Sequence, residues 1–269
     1  MNAAASKYKP GLDLVIVNYQ TAMDLRDCLA SLVEVAPTVD YDLTLVNVSP
    51  LPADKLVLKD WERKAKITTY LEYSKNVGYA RAVNAGLRDG QREVCVALNA
   101  DILFLPDALE LCHQALMAHD DWGVLGPRQI DDRGRFTHAG IFGTNTRPRH
   151  RGWHEANQGQ HQDVQDAVTV AGSAYFVKRS LWEELTACPV YQDFCGSEGA
   201  FLPTNHYYEE TWCSYHAASH GARVMYYGEA TLVHRWHRAS PVGGAADQQM
   251  SASRTLFRAA CDAHGIPRD

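Results

Sequence analysis

Val94-Cys95-Val96-Ala97-Leu98-Asn99-Ala100-Asp101 is an apolar run of strand length that stops at two oxygen-bearing side chains. An unbroken apolar run without polar alternation marks a strand buried on both faces. In open α/β sheets, chemistry collects where strands end at their carboxyl edge. A carboxylate in that position, with no cation beside it in sequence, suits a hard divalent ion held by oxygen ligands and substrate phosphates. The same residues also fit an Asx turn closing a buried strand, so the remaining sequence has to choose between the two.

Upstream of that run the pattern repeats. Residues 12–18 form another buried-strand run, and 21–35 carry Met23, Leu25, Leu29, Leu32 and Val33 at helical spacing, with Thr21 as cap and Pro37 past the end. Residues 43–48 and 66–73 read as two further strands, and 78–88 as an Ala-rich helix able to pack closely on a sheet. Downstream, 106–118 reads as a helix with Pro106 in its first turn. Strands alternating with helices imply a mostly parallel sheet with right-handed crossovers, and residues 1–125 read as a doubly wound, nucleotide-binding half.

Residues 126–240 differ in character. Short strands are expected at 123–126 and 136–142 around the Asp131-Asp132-Arg133-Gly134 turn. Residues 143–166 are polar and lack periodicity, which predicts a long surface loop. A strand at 167–177, a short helix capped by Ser180, a helix from near Asn205 to Gly221, and strands at 223–227 and 230–234 follow. Residues 241–269 read as a Pro241-Val242-Gly243-Gly244 hinge and a helix over 247–264, the hinge suggesting a lid.

The composition is that of an ordinary globular chain: 269 residues, 46% hydrophobic and 22% charged. A net charge of -6 argues against nucleic acid as the main partner, and the Arg147-Pro148-Arg149-His150-Arg151 run reads as a solvated loop. No segment approaches the roughly 18 apolar residues of a membrane span. The first ten residues lack the apolar core of a secretory signal. The seven cysteines are odd in number, without CxxC spacing, and Cys95, Cys112 and Cys213 fall in apolar runs, so reduced thiols and a cytoplasmic location are expected.

Several segments, in order, resemble the family 2 glycosyltransferases of the GT-A fold. They are Leu14-Val15-Ile16-Val17-Asn18-Tyr19, the run Asn76-Val77-Gly78-Tyr79-Ala80-Arg81-Ala82-Val83-Asn84-Ala85-Gly86, and Leu98-Asn99-Ala100-Asp101. Val170-Ala171-Gly172-Ser173, Glu209-Glu210, Gly221 and His234 complete the pattern. The second run is similar to that of rhamnosyltransferase-like members. The match covers roughly residues 12–238; each motif is weak alone, and the ordered set is specific.

The resemblance implies a Rossmann-like, mostly parallel sheet flanked by helices, with an acceptor-side α+β half at 126–240. It implies that Asp101 holds Mn²⁺ or Mg²⁺ against a donor diphosphate, and that His234 is a second ligand or a donor to the phosphates, with His237 as the fallback. An imidazole among oxygen ligands leans towards Mn²⁺. Glu210 matches the catalytic base, Glu209 being the alternative. The backbone at Val17, Asn18 and Tyr19 would cradle the nucleoside, and Asn99 and Ala100 lie on the same donor side. Asn76 and Gly78 shape the turn into a helix whose Arg81 would reach the base or phosphate. Gly172 and Ser173 fall on the acceptor side, Asn84 fits a buried amide, and Trp153 and Trp236 would stack on a sugar or pack in the core.

Three departures stand out. Asn47 occupies the place of an Asp that contacts the nucleobase, Trp212 that of an Asp on the acceptor side, and His216 that of a helix Arg. The implied activity is inverting, metal-dependent transfer of a sugar from a UDP-, dTDP- or GDP-linked donor to a hydroxyl of a glycan, lipid-linked glycan or protein. The alternative is a catalytically degenerate nucleotide-sugar-binding protein. A nucleotidyltransferase would need a Gly-rich basic loop where Tyr19-Gln20-Thr21-Ala22 stands, and a dehydrogenase would need GxGxxG.

Overall fold

A computed structural model describes residues 7–236 and 244–268. The chain begins β1 (Lys9–Asn18), α1 (Ala22–Val35), β2 (Tyr41–Val48), α2 (Pro52–Trp61), β3 (Ile67–Tyr73), α3 (Tyr79–Leu87), β4 (Arg92–Asn99), β5 (Ile102–Leu103) and α4 (Ala108–Ala118). It continues β6 (Trp122–Ile130), β7 (Phe136–His138), β8 (Ile141–Thr144), β9 (Arg147–His150), β10 (Val164–Asp166), β11 (Ala174–Lys178), α5 (Arg179–Ala187), α6 (Pro189–Cys195), α7 (Glu209–Ser219), β12 (Arg223–His234) and α8 (Gly244–Ala263).

The central sheet has the order β10-β12-β6-β11-β4-β1-β2-β3. β1 pairs in parallel with β2 on one side and β4 on the other, so the strand order reverses there, the position at which such sheets open a crevice. Antiparallel β11 pairs with β4 and β6, and β12 runs parallel to β6. The carboxyl ends of β1, β4, β6 and β12 and the amino end of β11 therefore share one edge. Alternate residues of β1 serve two cores. Leu12, Leu14 and Ile16 pack with Leu25, Leu29 and Leu109, while Val15 and Val17 pack with Val83, Leu87 and Trp182. A third cluster joins Tyr191, Trp212, Tyr215 and Phe257 of α6, α7 and α8.

Several expectations need correction. α2 was not foreseen: its inward stripe of Val57, Leu58 and Trp61 is only partly buried and shares its face with the buried Asp54, so the pattern is short and broken. The expected loop at 143–166 holds the end of β8 together with β9 and β10, whose residues there are mostly exposed on both faces. The expected strand at 167–177 is confined to Ala174–Lys178, and β12 is one bulged strand rather than two. Gly140, at φ +95, divides the expected 136–142 strand. α7 starts at Glu209, not near Asn205, and Lys178, not Ser180, caps α5. Pro106 precedes the Asp107 cap of α4 instead of lying inside the helix. Positions 241–243 of the expected hinge lie outside the described residues, as does His237.

At the opposite edge of the sheet Arg179 donates to Asp13 at 2.5 Å and to the Leu87 carbonyl at 2.6 Å. Both ions of the pair are buried. Removing one partner strands a charge in the core, so Arg179→Ala is expected to lower stability by about 3–5 kcal/mol. Urea unfolding measures this; a midpoint equal to wild type would show that the pair is dispensable.

Candidate active site

A cavity of about 790 Å³ opens on the shared sheet edge, a volume typical of small-molecule sites. Val17, Tyr19 and Val48 line it from the ends of β1 and β2, and Asn99, Ala100 and Asp101 from the end of β4. Gly172 and Ser173 face it ahead of β11, Asn76, Gly78 and Tyr79 at the start of α3, and Glu209 and Glu210 at the start of α7. His234, Trp236 and Gln249 complete the wall from the C-terminal part.

Two-residue β5 explains how Asp101 and His234 meet. It pairs antiparallel with the end of β12, placing His234 opposite Ile102, and the Arg235 N–H donates to the Asp101 carbonyl at 3.0 Å. His234 Nε2 lies 3.4 Å from Asp101 Oδ1. Burial works to raise the Asp101 pKa, but the hydrogen bond and charge of His234, helped by Asn99, outweigh it and leave the carboxyl below its ordinary range. An ionised carboxylate beside an imidazole, both opening on a cleft, is a donor set that fits a divalent ion of the Mn²⁺ type.

Across the cleft, Tyr207 and Tyr208 both take left-handed backbone, φ 69° and 70°, and turn the chain into α7. Glu209 is 4% exposed and accepts a hydrogen bond from Thr204 Oγ1 at 3.0 Å. Glu210 is half-buried and has its side chain against Gly172, where an added Cβ would sit 3.2 Å from its Cγ. The Tyr79 hydroxyl donates to the Gly172 carbonyl at 2.8 Å, holding that backbone in place. Gly78 has φ +82 and approaches Asn205 so closely that a Cβ would lie 2.9 Å from its carbonyl oxygen. Asn76 Oδ1 accepts from the Gly78 N–H at 2.9 Å. Burial pushes both α7 carboxyls above the ordinary range, and the Glu210 charge pushes Glu209 further. The helix N–H groups of Glu210 and Thr211 oppose this at Glu210.

The side chains of four expected site residues do not face the cleft. Asn18 and Asn47 are 0% exposed: Asn18 Nδ2 donates to Asn47 Oδ1 at 2.8 Å and to Asp54 Oδ1 at 2.9 Å, and Thr21 Oγ1 donates back to Asn18. Their amides are consumed beneath the wall. Arg81 points into a separate, smaller cavity with Asn84 and Arg88, and Asn84 is a structural amide bonded to Ser197 and Phe201. Trp212 is 0% exposed within the third core cluster. Trp153 stands behind Trp236, edge to face at 5.0 Å.

Other residues escaped sequence reasoning. Asp54 orders Asn18 and also accepts the Leu51 N–H at 2.7 Å; Pro52 followed by an acidic residue was its only signal. Tyr79 stands within the 76–86 run, where its hydroxyl gives no sequence signal of the Gly172 contact. Asn205, His206 and Tyr207 reach the cleft from a turn without a pattern, and Gln249 from the expected C-terminal helix, where it had no assigned role.

The sequence model for "Glycosyl transferase family 2" matches residues 13–183. No curated protein sequence matches the chain significantly. Among solved structures, the mannosyltransferase PcManGT from Pyrobaculum calidifontis, in complex with GDP-Man and Mn²⁺, superposes with a TM-score of 0.61 at 17% identity, over 94% of this chain and 64% of its own. TarS 1-349 of S. aureus superposes with a TM-score of 0.63 at 12% identity, over 93% of this chain and 65% of its own. The chain thus spans just under two thirds of either neighbour. At such identities the likeness establishes the fold, a GT-A type mostly parallel sheet flanked by helices. Among the described residues no helix is long and apolar enough to cross a membrane.

Proposed function

Since the chain belongs to glycosyl transferase family 2, we propose that it transfers a hexose or deoxyhexose, with inversion, from a nucleoside-diphosphate donor to a hydroxyl acceptor. The observation that carries this reading is the convergence of Asp101, Glu209 and Glu210 on one cleft beside His234. Asp101 and His234 would hold a divalent ion, Mn²⁺ or Mg²⁺, and the GDP-Man and Mn²⁺ bound by the mannosyltransferase support that choice. When bound, the ion neutralises charge on the departing diphosphate. Glu210 accepts the acceptor's hydroxyl proton as the new bond forms at the anomeric carbon and the bond to the diphosphate oxygen breaks. Glu209, deeper and bonded to Thr204, positions the first turn of α7. Gly172 leaves room for the base to swing, and Tyr19 and Val48 form the nucleoside wall.

The motif run at 76–86 favours a rhamnosyltransferase-like member, with UDP-, dTDP- or GDP-linked donors and a glycan, lipid-linked glycan or protein acceptor. Free, mostly buried cysteines support a cytoplasmic location. The test is a screen of UDP-, dTDP- and GDP-sugars for Mn²⁺-dependent thermal shift and slow donor hydrolysis. A protein that responds to no donor in either assay is not a transferase of this kind.

The raised carboxyls predict opposite pH trends for rate and stability. A base works only when deprotonated, so transfer should rise with pH through the Glu210 pKa, pushed up to about 7. These carboxyls bind protons more tightly folded than unfolded, so the metal-free fold gains stability at low pH. That gain is lost as pH rises from the ordinary carboxylate range through the folded values. Rate profiles and urea midpoints at several pH values check both; a rate already at its plateau at pH 5 would contradict the base assignment.

A further inference from the structure

His216 on α7 is 1% exposed, yet neither Nδ1 nor Nε2 has a hydrogen-bond partner. Buried polar atoms are nearly always paired, and an exception calls for an explanation. A second one lies beside it. His264, just past α8, has an unpartnered buried Nε2, while its Nδ1 lies 2.7 Å from the Ala260 carbonyl. A carbonyl only accepts, so that contact places the proton on Nδ1 and leaves the Nε2 lone pair directed inward. Metal-binding imidazoles are oriented in this way by a carbonyl on the far nitrogen. Cys188, at the junction of α5 and α6, supplies the third group: its Sγ and one nitrogen of each ring all lie within 4.8 Å of one another.

We infer that Cys188, His216 and His264 form a zinc site, with water in the fourth position, that ties α8 to α6 and α7. Thiolate and imidazole together select Zn²⁺ over the hard ions suited to the Asp101 cleft. Bonds of about 2.0 Å to nitrogen and 2.3 Å to sulfur bring tetrahedral donors to roughly 3.3–3.7 Å. Closure therefore asks for about one ångström of side-chain movement, and the half-buried Cys188 and His264 have room for it. Trp212 covers both rings, with centroids 4.8 Å from His216 and 4.7 Å from His264. Tyr191 stands 5.5 Å from the His216 ring. This apolar jacket keeps His216 neutral, as a ligand must be. His220 flanks the cluster and is engaged with Glu184 at 2.8 Å.

The site does not depend on the glycosyl-transfer reading. Its effect on the cleft would be indirect, through α8, whose Gln249 lines that wall. The full chain, stripped with chelator, is titrated with Co²⁺ and then Zn²⁺. We expect a thiolate-to-cobalt absorption band whose intensity corresponds to about one thiolate-bound Co²⁺ per chain, whatever the Asp101 cleft takes up. The band should persist in Asp101→Ala, disappear in Cys188→Ser, and be bleached by Zn²⁺. Zn²⁺ should raise the Tm of wild type but not of Cys188→Ser or His264→Ala. No thiolate band in the wild type, or an unchanged band in Cys188→Ser, overturns the proposal. Cys188→Ser is a small change at a half-buried position, so the result stands even where His264→Ala folds poorly.

Discussion

Glu210→Gln is expected to slow sugar transfer by roughly two to four orders of magnitude, the usual worth of a positioned general base. Donor binding should be nearly unaffected. The amide matches the carboxylate in volume, so the contact with Gly172 is kept and the buried start of α7 loses a charge that burial already disfavours. The folded protein should be no less stable, which separates loss of chemistry from loss of fold. The informative comparison is Glu209→Gln, whose carboxyl is engaged with Thr204 and sits deeper. Single-turnover transfer and donor titration on both variants assign the base. Full activity in Glu210→Gln together with loss in Glu209→Gln would move the role by one residue. Full activity in both would remove α7 from the mechanism.

The second large effect is expected at Asp101. Asp101→Ala, or chelation of divalent metal, should weaken donor binding by more than a hundredfold, roughly 3 kcal/mol of lost charge neutralisation. Three carboxylates approach this cleft, and a diphosphate among them is repelled unless a cation lies between. Binding and chemistry therefore fail together at Asp101, whereas they come apart at Glu210. Isothermal titration with and without EDTA makes the comparison; equal donor affinity in both conditions would exclude a metal bridge. His234→Ala should give a smaller loss in the same direction, since it removes one ligand and leaves the carboxylate.

What was readable in advance follows from burial. β1, β2 and β4 are apolar on successive residues because helices cover both faces, and such runs announce themselves. Asp101 and His234 were legible as strand-end residues, although their contact depends on β5, too short to carry a pattern. The inward turn of the Asn18 and Asn47 side chains has one cause. Both amides turn inward to meet Asp54 and each other, and Asp54 sits on short α2, whose inward face mixes this carboxyl with half-buried apolar residues. β9 and the end of β8 were illegible for a related reason: mostly exposed on both faces, they have no hydrophobic alternation to read. Trp212 and His216 registered only as departures from a family pattern. Their neighbours in space, Tyr191 and His264, come from elements whose packing no local signal announces.

The position of β11 also bears on how the protein is made. β4 has two partners, β1, which precedes it in the chain, and β11, which begins only at Ala174. β6, translated sooner, joins β11 and β12 rather than β4. On the ribosome, therefore, β1 to β4 can assemble early, but one long side of β4 stays unpaired until the chain has reached residue 178. At elongation rates of about 5–20 residues per second that interval is roughly 4 to 15 s. Throughout it a strand of buried Val94, Cys95, Val96, Ala97 and Leu98 presents open backbone, the kind of edge that recruits foreign strands. The closing segment is thus a folding requirement of the β1–β4 part of the sheet, and the early and late strands mature as a single unit.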